Sequence, residues 1–142
     1  MNGSLTQSEA RNLSALKLAF IGDAVYNLHS RMASLKAGQG LRDMHLGATR
    51  RVNAAAQAQA LKRLEGALSE DELDIVRRGR NAHPRHQAPR SATSAQYSAS
   101  TALEALIGYL YLTGQHARLH ELLDMLHENA PNDQNPTSKT LI

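Results

Sequence analysis

Apolar positions recur along the chain at three- and four-residue spacing, in stretches separated by short polar or glycine-bearing breaks, which is the pattern of amphipathic helices. Residues 1 to 8 are polar and expected to fray. A helix is predicted from about Glu9 to Leu35, stopped by Lys36-Ala37-Gly38, a basic residue followed by glycine. A short helical segment, Leu41 to Leu46, is expected to break at Gly47. Thr49 would then cap a longer helix through Leu64, whose face is Val52, Ala55, Ala56, Gln59, Ala60, Arg63 and Leu64. Ser69 with Glu72 forms a capping box that opens a helix over about Glu70 to Arg78, and Gly79 would end it. Pro84 and Pro89 make the stretch from Asn81 to Thr93 an irregular, mobile loop. Two more helices follow, about Ser94 to Leu112, ended by Gly114, and about His116 to Glu128 with Leu119, Leu122, Leu123 and Leu126 as its stripe. The expected organisation is one domain, residues 1–129, and a disordered polar tail, residues 130–142.

The first long helix contains an anomaly. Ile21, Val25, Leu28 and Met32, with Leu18 beside them, read as its core stripe, and Asp23 points away from them. Around Asp23 lie Ala15, Ala19, Gly22, Ser30 and Ala33, all small, with Leu16, Phe20 and Asn27 flanking. An acid is a poor mid-helix residue and a costly one to bury. Asp23 is therefore a solvent-facing acid, an ion-paired one, or a metal ligand awaiting a second carboxylate.

Composition narrows the class. Leu and Ala dominate the apolar content, with one Phe and no Trp, which favours an all-α fold over strands. The absence of cysteine excludes a disulfide scaffold and a thiolate zinc site. No apolar run approaches the roughly 20 residues of a membrane span, and no basic-then-apolar leader opens the chain, so a cytoplasmic protein without membrane association is expected. A formal charge of +3 and a pI near 9.5 lean toward polyanions without identifying one.

The second carboxylate is Glu104. In the helix from Ser94 to Leu112 it faces away from the apolar face of Ala99, Ala102, Leu103, Leu106, Tyr109 and Leu110, with Ser100, Thr101, Ile107 and Gly108 three and four residues from it. Two carboxylates on facing helices can offer hard oxygen ligands to Mg²⁺. Spacing alone leaves equally open an Asp and a Glu that never meet.

Three stretches taken together are specific: Leu18 to Tyr26 around Gly22-Asp23, Val76 to Ala82 with its arginines, and Ala102 to Leu112 around Glu104-Ala105-Leu106-Ile107-Gly108. In these the chain resembles the catalytic domain of ribonuclease III, and more closely the short branch, Mini-ribonuclease III. The resemblance covers roughly residues 12 to 128. It implies the all-α ribonuclease III endonuclease fold, a homodimer, and Mg²⁺-dependent cleavage of double-stranded RNA giving 5′-phosphate ends, with Mn²⁺ able to substitute. It assigns metal binding and catalysis to Asp23 and Glu104. Within the branch it suggests maturation of a large-subunit (23S) ribosomal RNA precursor, with contact to a ribosomal protein or ribosome precursor.

The family's longer members carry further acids where this chain has Leu16, Ala19 and Thr101. Their absence fits the short branch, as does a chain that ends without room for a double-stranded RNA-binding domain. It also keeps a second reading open, a non-catalytic RNA-binding or ribosome-assembly module that retained the fold. A helical interaction protein without a nucleic-acid role is the third.

Arg77, Arg78, Arg80, Arg85 and Arg90, with His83 and His86, fall in one window without an acid. Arg77 and Arg78 suit a helix C-terminus, but the cations beyond it suit phosphate contacts that position duplex RNA by charge and shape. The expected RNA-backbone contacts are Arg77, Arg78, Arg80, Asn81, His83 and Arg85. Arg50 and Arg51 are weaker candidates, and His116 with His120 reads as a wet surface pair.

Overall fold

In the computed structural model, which describes residues 4–82 and 92–128, the expected first helix is two helices. α1 (Gln7–Arg11) opens on a capping box between Thr6 and Glu9, and Ser14 caps α2 (Ala15–Lys36) by accepting from the Lys17 N–H. Each hydroxyl satisfies a first-turn N–H that a helix cannot pair internally. The residues expected to fray are docked from Ser4 onward, the Leu5 N–H donating to the Leu112 carbonyl at 2.7 Å. α2 ends as predicted, with Gly38 at φ 70° just beyond it.

The next break also moves. α3 (Leu41–Val52) runs through Gly47, and Asn53 separates it from α4 (Ala54–Leu64). The Asn53 backbone is extended at φ −72° and ψ 156°, and its side chain accepts from the Ala56 N–H at 2.9 Å. A cap at 53 resets the register, so α4 buries Gln57, Ala60, Leu61 and Leu64, and Gln59 is exposed. After a 3₁₀ turn (Glu65–Ala67), α5 (Glu70–Arg80) starts at the predicted capping box and continues past Gly79. Gly79 is a contact position rather than a stop: a Cβ there would lie 2.5 Å from the Ala102 Cα.

α6 (Ser94–Leu112) and α7 (His116–Glu128) have the predicted limits. α6 is the central helix, with α2, α4, α5 and α7 packed around it. From Ala99 to Leu110 every residue except Glu104 is buried. α7 buries its predicted leucine stripe and is clamped to α5 by Arg118, which donates to both carboxylate oxygens of buried Glu72 at 2.8 and 2.9 Å and to the Ala67 carbonyl at 2.7 Å.

The buried face of α2 is turned relative to the sequence reading, which holds for Leu18 and Val25 but not for Leu28 and Met32. Ala15, Ala19, Gly22, Ser30 and Ser34 are buried with Leu18 and Tyr26, whereas Leu28 and Met32 are 60% and 47% exposed. The helix packs through its small residues because its backbone lies against that of α6. Among the described residues no helix is long and apolar enough to cross a membrane. The tail from 130 to 142 lies outside the described residues.

Candidate active site

The site is built on the closest approach of α2 and α6. A Cβ on Gly22 would stand 1.7 Å from the Glu104 carbonyl oxygen and 2.8 Å from the Gly108 N, so only glycine allows the two backbones to touch. The next residue on α2 is Asp23, and the facing residue on α6 is Glu104. Close backbone contact thus brings two acids on different helices into one electrostatic site.

Asp23 is exposed. One turn on, the Asn27 side-chain N–H donates to the Asp23 carbonyl at 2.8 Å and to its carboxylate Oδ1 at 3.2 Å, which fixes the direction of the carboxylate. Glu104 is half-buried, and its carboxyl is pushed up to about 7, first by burial and then by the negative charge of Asp23. Hydrogen bonding from Gln57 and Ser100 to the ionised form opposes that rise. Ser100 Oγ lies 3.4 Å from Glu104 Oε1 and donates to the Gln57 amide oxygen.

This donor set fits a divalent cation. A 2+ charge would relieve the repulsion that Asp23 exerts on an ionised Glu104, and an oxygen-only set with solvent access from the Asp23 side suits an ion that keeps several waters. Among the described residues no group of three or more His, Asp or Glu is placed to hold a metal ion. Thr101, where longer relatives carry an acid, donates instead to the Tyr97 carbonyl at 3.1 Å. Leu16 is exposed and Ala19 buried.

The basic segment is partly engaged within the fold. Arg77 pairs with Asp74, and Arg80 with Glu65, both at the surface. Half-buried Arg78 donates to the Leu13 carbonyl at 2.9 Å, tying α5 to the α1–α2 junction. Asn81 is the C-cap of α5 and is exposed. His83 and Arg85 lie outside the described residues. His116 packs edge-on to Tyr111 and His120 lies near His29, so the two histidines have different neighbours.

Sequence reasoning missed Gln57. Its only signal was an amide in the alanine-rich run Ala54-Ala55-Ala56-Gln57-Ala58-Gln59-Ala60, and the cap at Asn53 decides which glutamine turns inward. Asn27 stood at the i+4 position from Asp23, a spacing that permits this hydrogen bond.

The Ribonuclease III domain model matches residues 16–115. The chain is 52% identical over 112 residues to the Mini-ribonuclease 3 of Symbiobacterium thermophilum, covering 78% of this chain and 85% of that one. It is 43% identical over 122 residues to the Mini-ribonuclease 3 of Thermoanaerobacter sp. (strain X514), covering 85% of each. A crystal structure of a Fusobacterium nucleatum protein superposes with a TM-score of 0.77 at 31% identity, over 84% of this chain and 97% of that one.

Proposed function

Since the chain belongs to the ribonuclease III family, on its Mini-ribonuclease III branch, and is an endoribonuclease of double-stranded RNA, we propose that Asp23 and Glu104 are its catalytic, metal-binding pair. The observation that carries this is the Gly22–Glu104 backbone contact, which makes the ionisation of Glu104 depend on Asp23. The family depends on divalent metal, and Mg²⁺ is the ion proposed, with Mn²⁺ as a substitute. When bound, such an ion supplies an activated water and stabilises charge on the phosphodiester. The protein's part is to hold the ligands. Asn27 aims Asp23, and burial raises the carboxyl of Glu104 so that a positive charge facing it favours the ionised form.

The proposed RNA-contact face is the C-terminal end of α5 and the residues after it: Arg77, Arg78, Arg80, Asn81, His83 and Arg85. Surface ion pairs such as those of Arg77 and Arg80 contribute little to folding, so a phosphate can replace Asp74 or Glu65 as partner. The proposed products carry 5′-phosphates, and the proposed natural substrate is a 23S ribosomal RNA precursor, a reading that branch membership supports. A homodimer is proposed through the apolar surface of Leu5, Leu13, Leu16, Phe20, Ile21 and Leu112, where Phe20 is 79% exposed.

The test is cleavage of a duplex RNA by the wild type, Asp23→Asn and Glu104→Gln, with Mg²⁺ or with EDTA. Loss of a ligand that supplies several kcal/mol of charge stabilisation is expected to lower the rate by about three orders of magnitude. An Asp23→Asn variant that cuts as fast as wild type would overturn the assignment.

A further inference from the structure

Gln57 is fully buried, and its amide stands directly behind the site. Its oxygen accepts the Ser100 hydroxyl, and Ser100 Oγ is 3.4 Å from Glu104 Oε1. Its nitrogen, also buried, has no aligned hydrogen-bond partner among the described residues, and the Glu104 carboxylate lies within its reach. A buried amide donor left short of a partner costs free energy. Packing alone gives no reason to keep one in an alanine-rich helix, where a leucine or methionine would fill the same volume. A carboxylate drawn slightly toward Gln57 would complete the bond.

We propose that Gln57, its amide held in place by the Ser100 hydroxyl, is a positioning residue for Glu104, holding its carboxylate oriented toward Asp23 for the divalent cation that the two acids share. This rests on the reading of Asp23 and Glu104 as the metal pair. α4 thereby contributes to the chemistry of α2 and α6 without touching RNA or metal. In the absence of the acids that longer relatives carry at positions 16, 19 and 101, fewer carboxylates are at hand to fix the ion, so the orientation of each remaining one matters more.

The experiment is Mn²⁺ binding, followed by electron paramagnetic resonance, to wild type, Gln57→Met, Ser100→Ala and Glu104→Gln, together with kcat and KM for a duplex RNA in Mg²⁺. Supporting groups behind metal ligands typically contribute roughly 10- to 100-fold in affinity or activity. Gln57→Met is expected to weaken Mn²⁺ by that order and lower kcat with KM for RNA unchanged, and raising Mg²⁺ should recover part of kcat. Wild-type Mn²⁺ affinity in folded Gln57→Met, with affinity lost in Glu104→Gln, overturns the role of Gln57 and leaves the metal pair standing. Unchanged affinity in Glu104→Gln overturns both. Should Gln57→Met fail to fold, Ser100→Ala decides: weaker Mn²⁺ binding supports the proposal and unchanged binding overturns it.

Discussion

Gly22 and Gly108 meet across α2 and α6 as a reciprocal pair, a Cβ on Gly22 falling 1.7 Å from the Glu104 carbonyl oxygen and one on Gly108 falling 1.9 Å from that of Leu18. Both obstacles are backbone atoms, which no rotamer change can move. Gly22→Ala and Gly108→Ala are each expected to cost about 3 kcal/mol or more, the upper end for overpacking. Urea unfolding of the two variants measures this, and a variant as stable as wild type would show that the helices separate easily.

The raised carboxyl of Glu104 makes stability depend on pH. Its folded value of about 7 exceeds the ordinary 4.5, so the folded state holds the proton more tightly than the unfolded chain. Metal-free protein should therefore be most stable below about 4.5 with respect to this group and lose stability as pH rises to about 7, an effect of at most about 3 kcal/mol. Unfolding in EDTA at about pH 5 and about pH 8 should show that loss, and Glu104→Gln should remove it. A proton would compete with the proposed metal for this carboxylate, so Mn²⁺ affinity should rise over the same interval.

Arg118 and Glu72 join α7 to α5 through two hydrogen bonds, and Glu72 also accepts from the Ser69 N–H at 2.9 Å. Arg118→Met leaves the Glu72 carboxylate buried without its cation, a loss expected to cost about 3–5 kcal/mol. Glu72→Gln added to Arg118→Met should restore part of it. The arginine, more than any other group, holds the Glu72 carboxyl below its ordinary value of 4.5, so this contribution is present above that pH and lost as pH falls below it.

Phe20 is the most exposed large apolar side chain of the described residues. In the proposed dimer Phe20→Lys should yield a folded monomer at micromolar concentration, visible by light scattering with an unchanged circular dichroism spectrum. A variant that still sedimented as a dimer would move the interface elsewhere.

What was legible in the sequence was whatever local chemistry decides. Ser69 with Glu72, the run from Ser94 to Leu112 and the leucine stripe of α7 need only neighbouring residues to define a helix, and they stand where the pattern put them. Asp23 and Glu104 were legible as acids misplaced in apolar helices, and three motifs in order carried the family. Boundaries at Ser14 and Asn53 were missed because a cap competes with an otherwise helical pattern on either side, and the winner is set by what the flanking helices pack against.

The side of α2 that faces inward was beyond local reasoning. That helix is apolar on most of its circumference, so periodicity pointed to the larger residues, Ile21, Leu28 and Met32. Tertiary structure chose the small ones, because a glycine on each helix lets two backbones touch and gains contact along the whole crossing. The sequence by itself determined an all-α chain, its acids and its family resemblance. Only the tertiary structure brought Asp23 into the field of Glu104 and turned Gln57, rather than Gln59, toward it, since both depend on how closely separate helices approach.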